Sequence, residues 1–240
     1  MAWFYNRYWG NQFFERIYPL VEQEVLSRIS PGCRILDLCC GTGQLAARLG
    51  SAGYDVLGVD ISQEMLIYAR QNAPNANFVV ADARSFELSA PVFAALSLFD
   101  SLNHIMSIVE LEKVFERVHT SLKPGGIFMF DLNVEDGFLQ RWKGSFSIVE
   151  ADHLFVARSS YDRAEKIGRL DLTMFRLRED VWHRRDEVFF QRAYRPEEIS
   201  QAVVAVGFTI VKAGLAEEFG LSSQGRLVVV ARKPAIAELS

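Results

Sequence analysis

Asp37 stands four residues ahead of the first glycine in the run Ile35-Leu36-Asp37-Leu38-Cys39-Cys40-Gly41-Thr42-Gly43, and two further acids, Asp60 and Asp82, each follow a short apolar stretch. Glycines in such a turn let a ligand approach the backbone closely. The nucleotide cofactors that use these turns differ mainly in charge. A dinucleotide presents a pyrophosphate; S-adenosylmethionine presents an ammonium and a sulfonium. Gly41-x-Gly43-x-x-Ala46 satisfies the permissive dinucleotide fingerprint, and Asp60 sits near the spacing of a ribose-binding acid. Taken alone, the turn fits both cofactors. A carboxylate beside it repels a pyrophosphate and favours a cationic methionine group, so Asp37 tips the balance toward S-adenosylmethionine.

The elements that must position these residues follow from hydrophobic patterning. Between residues 35 and 132, short apolar runs alternate with helical periodicity, the pattern of βαβ units around a parallel sheet. Strands are expected at 35–40, 56–60, 78–80, 92–98 and 127–132. Ile108, Leu111, Val114, Phe115, Val118 and Leu122 make one apolar face of a helix over 107–122, which Pro124-Gly125-Gly126 ends. Ser62 is the expected N-cap of a helix through Met65 and Leu66. Ligands of open α/β sheets bind beyond the carboxyl ends of the strands, which directs Asp37, Asp60, Asp82 and the stretch from Phe99 to His104 toward one crevice.

Residues 144–194 have a different texture. Runs such as Leu170-Asp171-Leu172-Thr173-Met174-Phe175-Arg176-Leu177 alternate apolar and polar residues, as antiparallel strands with one wet face do, and Glu179-Asp180 suits a turn between two of them. The α/β pattern resumes after Pro196 with a helix and two strands. The chain has 240 residues, half of them hydrophobic, enough for one domain carrying an insertion. Its net charge of −4, with Lys and Arg spread along the chain, gives no footprint for a phosphate backbone. The three cysteines, Cys33, Cys39 and Cys40, read as core thiols without metal-ligand spacing. Polar residues break the aromatic N-terminus before an apolar leader core forms, and no stretch approaches a membrane span; a cytoplasmic protein is expected.

The ordered set Asp37-Leu38-Cys39-Cys40-Gly41-Thr42-Gly43, Asp60, Ala81-Asp82-Ala83, Phe99-Asp100-Ser101-Leu102-Asn103 and Leu122-Lys123-Pro124-Gly125-Gly126 resembles the motifs of class I S-adenosylmethionine-dependent methyltransferases, in the small-molecule branch of glycine and sugar-amine N-methyltransferases. The resemblance implies a Rossmann-like α/β fold: a seven-stranded sheet in the order 3-2-1-4-5-7-6 with its last strand antiparallel, and an antiparallel β insertion after strand 5. It divides the chain into an N-terminal helical lid (1–34), a cofactor-binding core (35–143 and 195–240) and a substrate roof (144–194). It also implies roles. Gly41 and Gly43 pass the methionine moiety, Asp60 accepts from the ribose hydroxyls, Asp82 and Ala83 meet the adenine edge, Ile61 and Met65 flank its ring, and Phe99 sits near the sulfur. S-adenosylhomocysteine is then the product, with no metal required.

Methyl transfer from a sulfonium asks the protein to align the acceptor, exclude water and find a route for any acceptor proton. His104 is the candidate base, directly after the fourth-strand motif. That motif lacks the Asn/Asp-Pro-Pro-aromatic run of the family members that methylate nucleic-acid amines, which disfavours a nucleic-acid substrate. Asn103, His104, Arg176 and Tyr194 are the candidate substrate-binding residues. Among the N-terminal aromatics Trp3, Phe4, Tyr5, Tyr8, Trp9, Phe13 and Phe14, one of Tyr5, Tyr8 or Trp9 is expected to close over the cofactor by cation–π contact, Tyr5 and Trp9 foremost. The expected activity is transfer of a methyl group to an amine or hydroxyl of a small molecule by a monomer or homodimer with no membrane partner. The alternatives are a non-catalytic cofactor-binding scaffold and an NAD-dependent oxidoreductase.

Overall fold

The structure, a computed structural model, describes residues 1–235, with the backbone alone for residues 11–14. The side chains of Phe13 and Phe14, and residues 236–240 of the expected core, lie outside the described residues. Two helices, α1 (Ala2–Tyr8) and α2 (Gly10–Glu24), precede β1 (Arg34–Leu38), α3 (Gln44–Ser51), β2 (Asp55–Asp60), α4 (Gln63–Asn72), β3 (Asn77–Val80) and β4 (Val92–Ser97). Helix α5 (Ile108–Ser121), β5 (Leu122–Asn133) and α6 (Glu135–Arg141) lead into β6 (Gly144–Val149), β7 (His153–Asp162), β8 (Ile167–Arg178) and β9 (Val181–Arg192). The described chain closes with α7 (Pro196–Ala205), β10 (Thr209–Leu215) and β11 (Arg226–Arg232).

Seven strands form one sheet in the order β10-β11-β5-β4-β1-β2-β3, in which β11 runs antiparallel to both its neighbours. This is the expected 3-2-1-4-5-7-6 order with its antiparallel last strand. The pleat explains why β1 is apolar throughout: Ile35 joins the core on the α2 and α3 side, while Leu36 and Leu38 join the core under α5 and α7. Helix α5 starts where the Ser107 hydroxyl accepts from the Glu110 N–H at 3.2 Å, and it buries Leu111, Val114, Phe115 and Val118. Ser62 caps α4 in the same way.

One boundary differs from the sequence reading. Pro124-Gly125-Gly126 does not separate helix from strand; β5 begins at Leu122 and the three residues bulge within it, so that Val92 pairs with Leu122 and Ala94 with Ile127. Gly125, at φ +80°, and the bonds tying Gly125 and Gly126 to Lys233 let the bulge stay in the sheet.

Strands β6 to β9 make a second, fully antiparallel sheet in sequential order, and Glu179 and Asp180, both at positive φ, turn β8 into β9. One face of this sheet buries Phe155, Ala157, Leu172 and Met174 against Phe4 of α1. On the side toward the larger sheet, β9 meets the 3-10 turn Ser101–His104 that follows β4. No described helix is long and apolar enough to cross a membrane.

Candidate functional site

The turn after β1 is built on left-handed backbone: Cys39 at φ +59°, Gly41 at +53° and Gly43 at +80°. Gly43 has a second reason to lack a side chain, since a Cβ there would lie 2.9 Å from Cα and Cβ of Ala69, where α3 starts against α4. The Gly41 N–H donates to Asp60 Oδ2 at 2.9 Å and the Ser62 N–H to Asp60 Oδ1 at 2.8 Å. Both oxygens are thereby held in place while each keeps a further lone pair. Burial still pushes the Asp60 pKa above the usual carboxylate value, against those two bonds.

Asp37 is 3% exposed, and its Oδ2 has no hydrogen-bond partner among the described residues. Burial, followed by the charge of Asp60, pushes its carboxyl up to about 8. A buried carboxyl with an orphan oxygen and this proton affinity calls for a cation. Asp37 lines a cavity with Tyr5, Cys39, Cys40, Gln44 and Phe99. Asp100, Asp60 and Asp37 all act on the Tyr5 phenol with burial to raise its pKa, and Arg226 opposes them. The Cys39 thiol is pushed up to about 12 and Cys40 higher still, chiefly by burial, so both are neutral core thiols.

Helix α1 is fastened over this cavity. Asn6 Oδ1 accepts from Gln44 Nε2 at 3.0 Å and from Asn72 Nδ2 at 2.7 Å, which ties α1 to the start of α3 and the end of α4. On its other side, the Tyr8 hydroxyl bonds His153 Nε2, and His153 Nδ1 bonds Asp152 at 2.6 Å. Trp9 packs against Phe146 and Phe155 of the antiparallel sheet. This corrects the expectation for Trp9: its ring serves the apolar layer under the sheet, and Tyr5 is the α1 aromatic that lines the cavity.

The other strand ends carry their expected residues. Asp82 follows β3 with its carboxylate gripped by the Arg84 guanidinium at 2.6 and 2.9 Å, which holds its pKa below the ordinary value; Arg84 reaches Glu110 as well. Ala83 is buried beside it, Ile61 is 68% exposed, and Met65 is half-buried on α4. Phe99 and Asp100 follow β4 at φ +67° and +51°. Left-handed backbone at two consecutive non-glycine residues costs about 1–3 kcal/mol apiece and gathers at functional sites.

His104 closes the 3-10 turn, exposed at one edge while both ring nitrogens face β9. Its Nδ1 lies 2.9 Å from the Phe190 carbonyl and its Nε2 3.2 Å from Gln191 Nε2. Removal of water by the surrounding protein lowers its pKa, against the raising influence of Asp100 and Asp60. Gln191 also donates to Asp100 Oδ2 at 2.8 Å, and Arg226 bridges Asp100 and Asp131.

Two substrate-site expectations are corrected, those for Asn103 and Tyr194. Asn103 is fully buried: its Nδ2 donates to the Asn133 and Arg192 carbonyls and its Oδ1 accepts from the Asn133 N–H, so it staples β5, β9 and the 3-10 turn together. Tyr194 is 2% exposed and spends its hydroxyl on the Ile105 carbonyl. Arg176 lies over the Trp3 ring at 3.8 Å. A core polar residue and a substrate ligand have the same residue type, and burial alone separates them. Sequence reasoning in turn missed Gln191, Arg226 and Asp131. A lone acid inside the apolar run 127–132 is the one signal that could have found Asp131.

Residues 35–126 match the methyltransferase-domain family. The Bacillus subtilis (strain 168) chain YqeM is 29% identical over 182 residues, 74% of each chain. The dTDP-3-amino-3,4,6-trideoxy-alpha-D-glucopyranose N,N-dimethyltransferase of Streptomyces venezuelae is 30% identical over 146 residues, 59% of this chain and 60% of that one. A crystal structure of an S-adenosylmethionine-dependent methyltransferase from Clostridium acetobutylicum ATCC 824 shares the fold, with a TM-score of 0.80 at 21% identity over 98% of both chains.

Proposed function

We propose that the chain, which is similar to S-adenosylmethionine-dependent methyltransferases in domain, sequence and fold, is one of them and methylates an amine of a small, polar molecule. The observation that carries this reading is the acidic lining around Tyr5: Asp100 and Asp60 act on it, the buried Asp37 carboxyl with its orphan oxygen lines the same cavity, and the opposing Arg226 is already committed to Asp100 and Asp131. Such a site favours cations, both the cofactor and an amine that arrives protonated. The similarity to an amino-sugar N,N-dimethyltransferase supports the same acceptor class.

S-adenosylmethionine, when bound, supplies a methyl group activated by its sulfonium. Asp37 and the turn at Gly41 and Gly43 would hold its methionine ammonium end, for which the orphan Asp37 oxygen is the fitting acceptor. Asp60 would accept from the ribose hydroxyls, Asp82, Ala83, Ile61 and Met65 would hold the adenine, and Phe99 and Tyr5 would lie on the side of the sulfur. His104, neutral and exposed, accepts the proton that an ammonium must lose before it can act as a nucleophile. Residues 1–34 serve as lid, 144–194 as roof, and 35–143 with 195–240 as core. Calorimetry with S-adenosylhomocysteine tests the cofactor half of the proposal: micromolar affinity is expected, and affinity for NAD in its place overturns it. An acceptor panel of amines, alcohols and carboxylates tests the other half.

A further inference from the structure

We propose that Gln191 is a positioning residue that holds the His104 imidazole neutral in its Nδ1–H form, by keeping a donor amide between His104 Nε2 and the Asp100 carboxylate. The bearing on catalysis rests on the function proposed above; the tautomer itself does not.

The hydrogen-bond chain allows one assignment. At one end the Phe190 carbonyl accepts only, so the His104 Nδ1 at 2.9 Å must carry a proton, which excludes the neutral Nε2–H tautomer. At the other end Asp100 is acceptor-only, with Oδ1 taken by Arg226 at 2.6 Å and Oδ2 facing the Gln191 amide at 2.8 Å. The Gln191 amide nitrogen faces both groups, 2.8 Å from Asp100 Oδ2 and 3.2 Å from His104 Nε2, so its NH2 group donates to both and His104 Nε2 holds the lone pair. The other end of the amide shows the consequence. Gln191 is 4% exposed, and its Oε1 is buried with no partner among the described residues. Turning the amide over would set Oε1 against the Asp100 carboxylate and leave the NH2 group buried without an acceptor. The fold therefore tolerates an orphan acceptor, normally a costly defect, in order to keep two N–H groups between Asp100 and His104.

Protonating His104 places an Nε2–H against that same NH2 group, donor to donor. The charged groups facing the ring do not remove the conflict. Asp100 and Asp60 favour the imidazolium, Arg226 offsets Asp100, and Phe189 and Phe190 of β9 bring an aromatic edge and the carbonyl already used. An ammonium acceptor thus meets an uncharged imidazole. When its N–H bond breaks and the proton moves to Nε2, the 3.2 Å bond to Gln191, the longest in the chain, is the one that yields. The imidazolium, opposed by the amide and open to solvent, returns the proton to water.

Long-range nitrogen–proton NMR on the ring of His104, one of four histidines, with its signals assigned by their loss in His104→Gln, tests the proposal without cofactor or acceptor. In the wild type the Nδ1–H neutral form is expected, titrating below the ordinary imidazole value. In Gln191→Met, which keeps the length and loses the donors, the midpoint should rise by about one pH unit, the equivalent of one net hydrogen bond. The acid limb of the methyl-transfer rate should move with it. A merely structural glutamine would lower the melting temperature and leave the midpoint in place, which overturns the proposal. So does an Nε2–H tautomer or an imidazolium at pH 7 in the wild type, a measurement that stands if the Met variant does not fold. Absence of methyl transfer alongside the expected titration would count against the proposed function and leave the role of Gln191 intact.

Discussion

Replacing Asp37 with Asn keeps the shape of the side chain at the glycine turn and removes its charge. The wild-type carboxyl titrates at about 8 in the folded chain against an ordinary value of 3.8. Between those values the folded, ligand-free chain holds a proton that the unfolded chain has lost, so stability falls as pH rises through that window. The roughly four-unit difference corresponds to a loss on the order of 5 kcal/mol from the acid to the alkaline side. Asp37→Asn lacks this slope, and its ligand-free form should overtake the wild type in stability as pH rises toward 8. Cofactor binding should show the converse. The methionine ammonium needs the carboxylate, so at pH 7 binding by the wild type releases roughly 0.9 proton and its affinity climbs about tenfold per unit up to about pH 8. The variant releases none from this site and, lacking a charge-assisted bond worth about 1.5–3 kcal/mol, binds about 10- to 150-fold more weakly above pH 8, a gap that shrinks about tenfold per pH unit below it. Titration calorimetry with S-adenosylhomocysteine in two buffers of different ionisation enthalpy reads the proton count directly. Equal heats in the two buffers for the wild type, or the same proton release from Asp37→Asn, would refute the reasoning.

Three further outcomes follow from the geometry. Gly43→Ala forces a Cβ to within 2.9 Å of Ala69 at φ +80° and should cost about 2 kcal/mol or more of stability along with cofactor affinity, measured by denaturant titration and calorimetry. Asn103→Ala leaves the Asn133 N–H and two carbonyls without their partner and should lose about 3 kcal/mol in chemical denaturation; a variant of wild-type stability with a raised KM would restore Asn103 to the substrate site. His104→Gln should lower kcat by about 10²-fold or more while the calorimetric Kd for S-adenosylhomocysteine stays within about twofold of wild type.

The large sheet was legible in the sequence because its central strands β1, β4, β5 and β11 are buried on both faces and its ligand-facing ends carry residues with few substitutes: glycines at positive φ, and Asp60 at a strand terminus beside two backbone N–H donors. The antiparallel layer was legible as alternation. Which face turned inward was not, since β9 interleaves charged and apolar residues on both sides. The polar network was out of reach for a different reason. Asp100 is 91 residues from Gln191 and 126 from Arg226, and only the placement of β9 and β11 brings them together. Asn103 and Tyr194 misled because their polarity is used up inside the protein, on backbone groups that the surrounding loops leave unpaired.

The account is tested most directly by incubating the chain with methyl-labelled S-adenosylmethionine and a panel of small amines, amino sugars among them, beside matched alcohols and a nucleic acid, and then following the label by mass spectrometry. It predicts an N-methylated amine formed in equal amount with S-adenosylhomocysteine. Label on an oxygen or a nucleobase, or bound cofactor with no transfer to any amine, would contradict it.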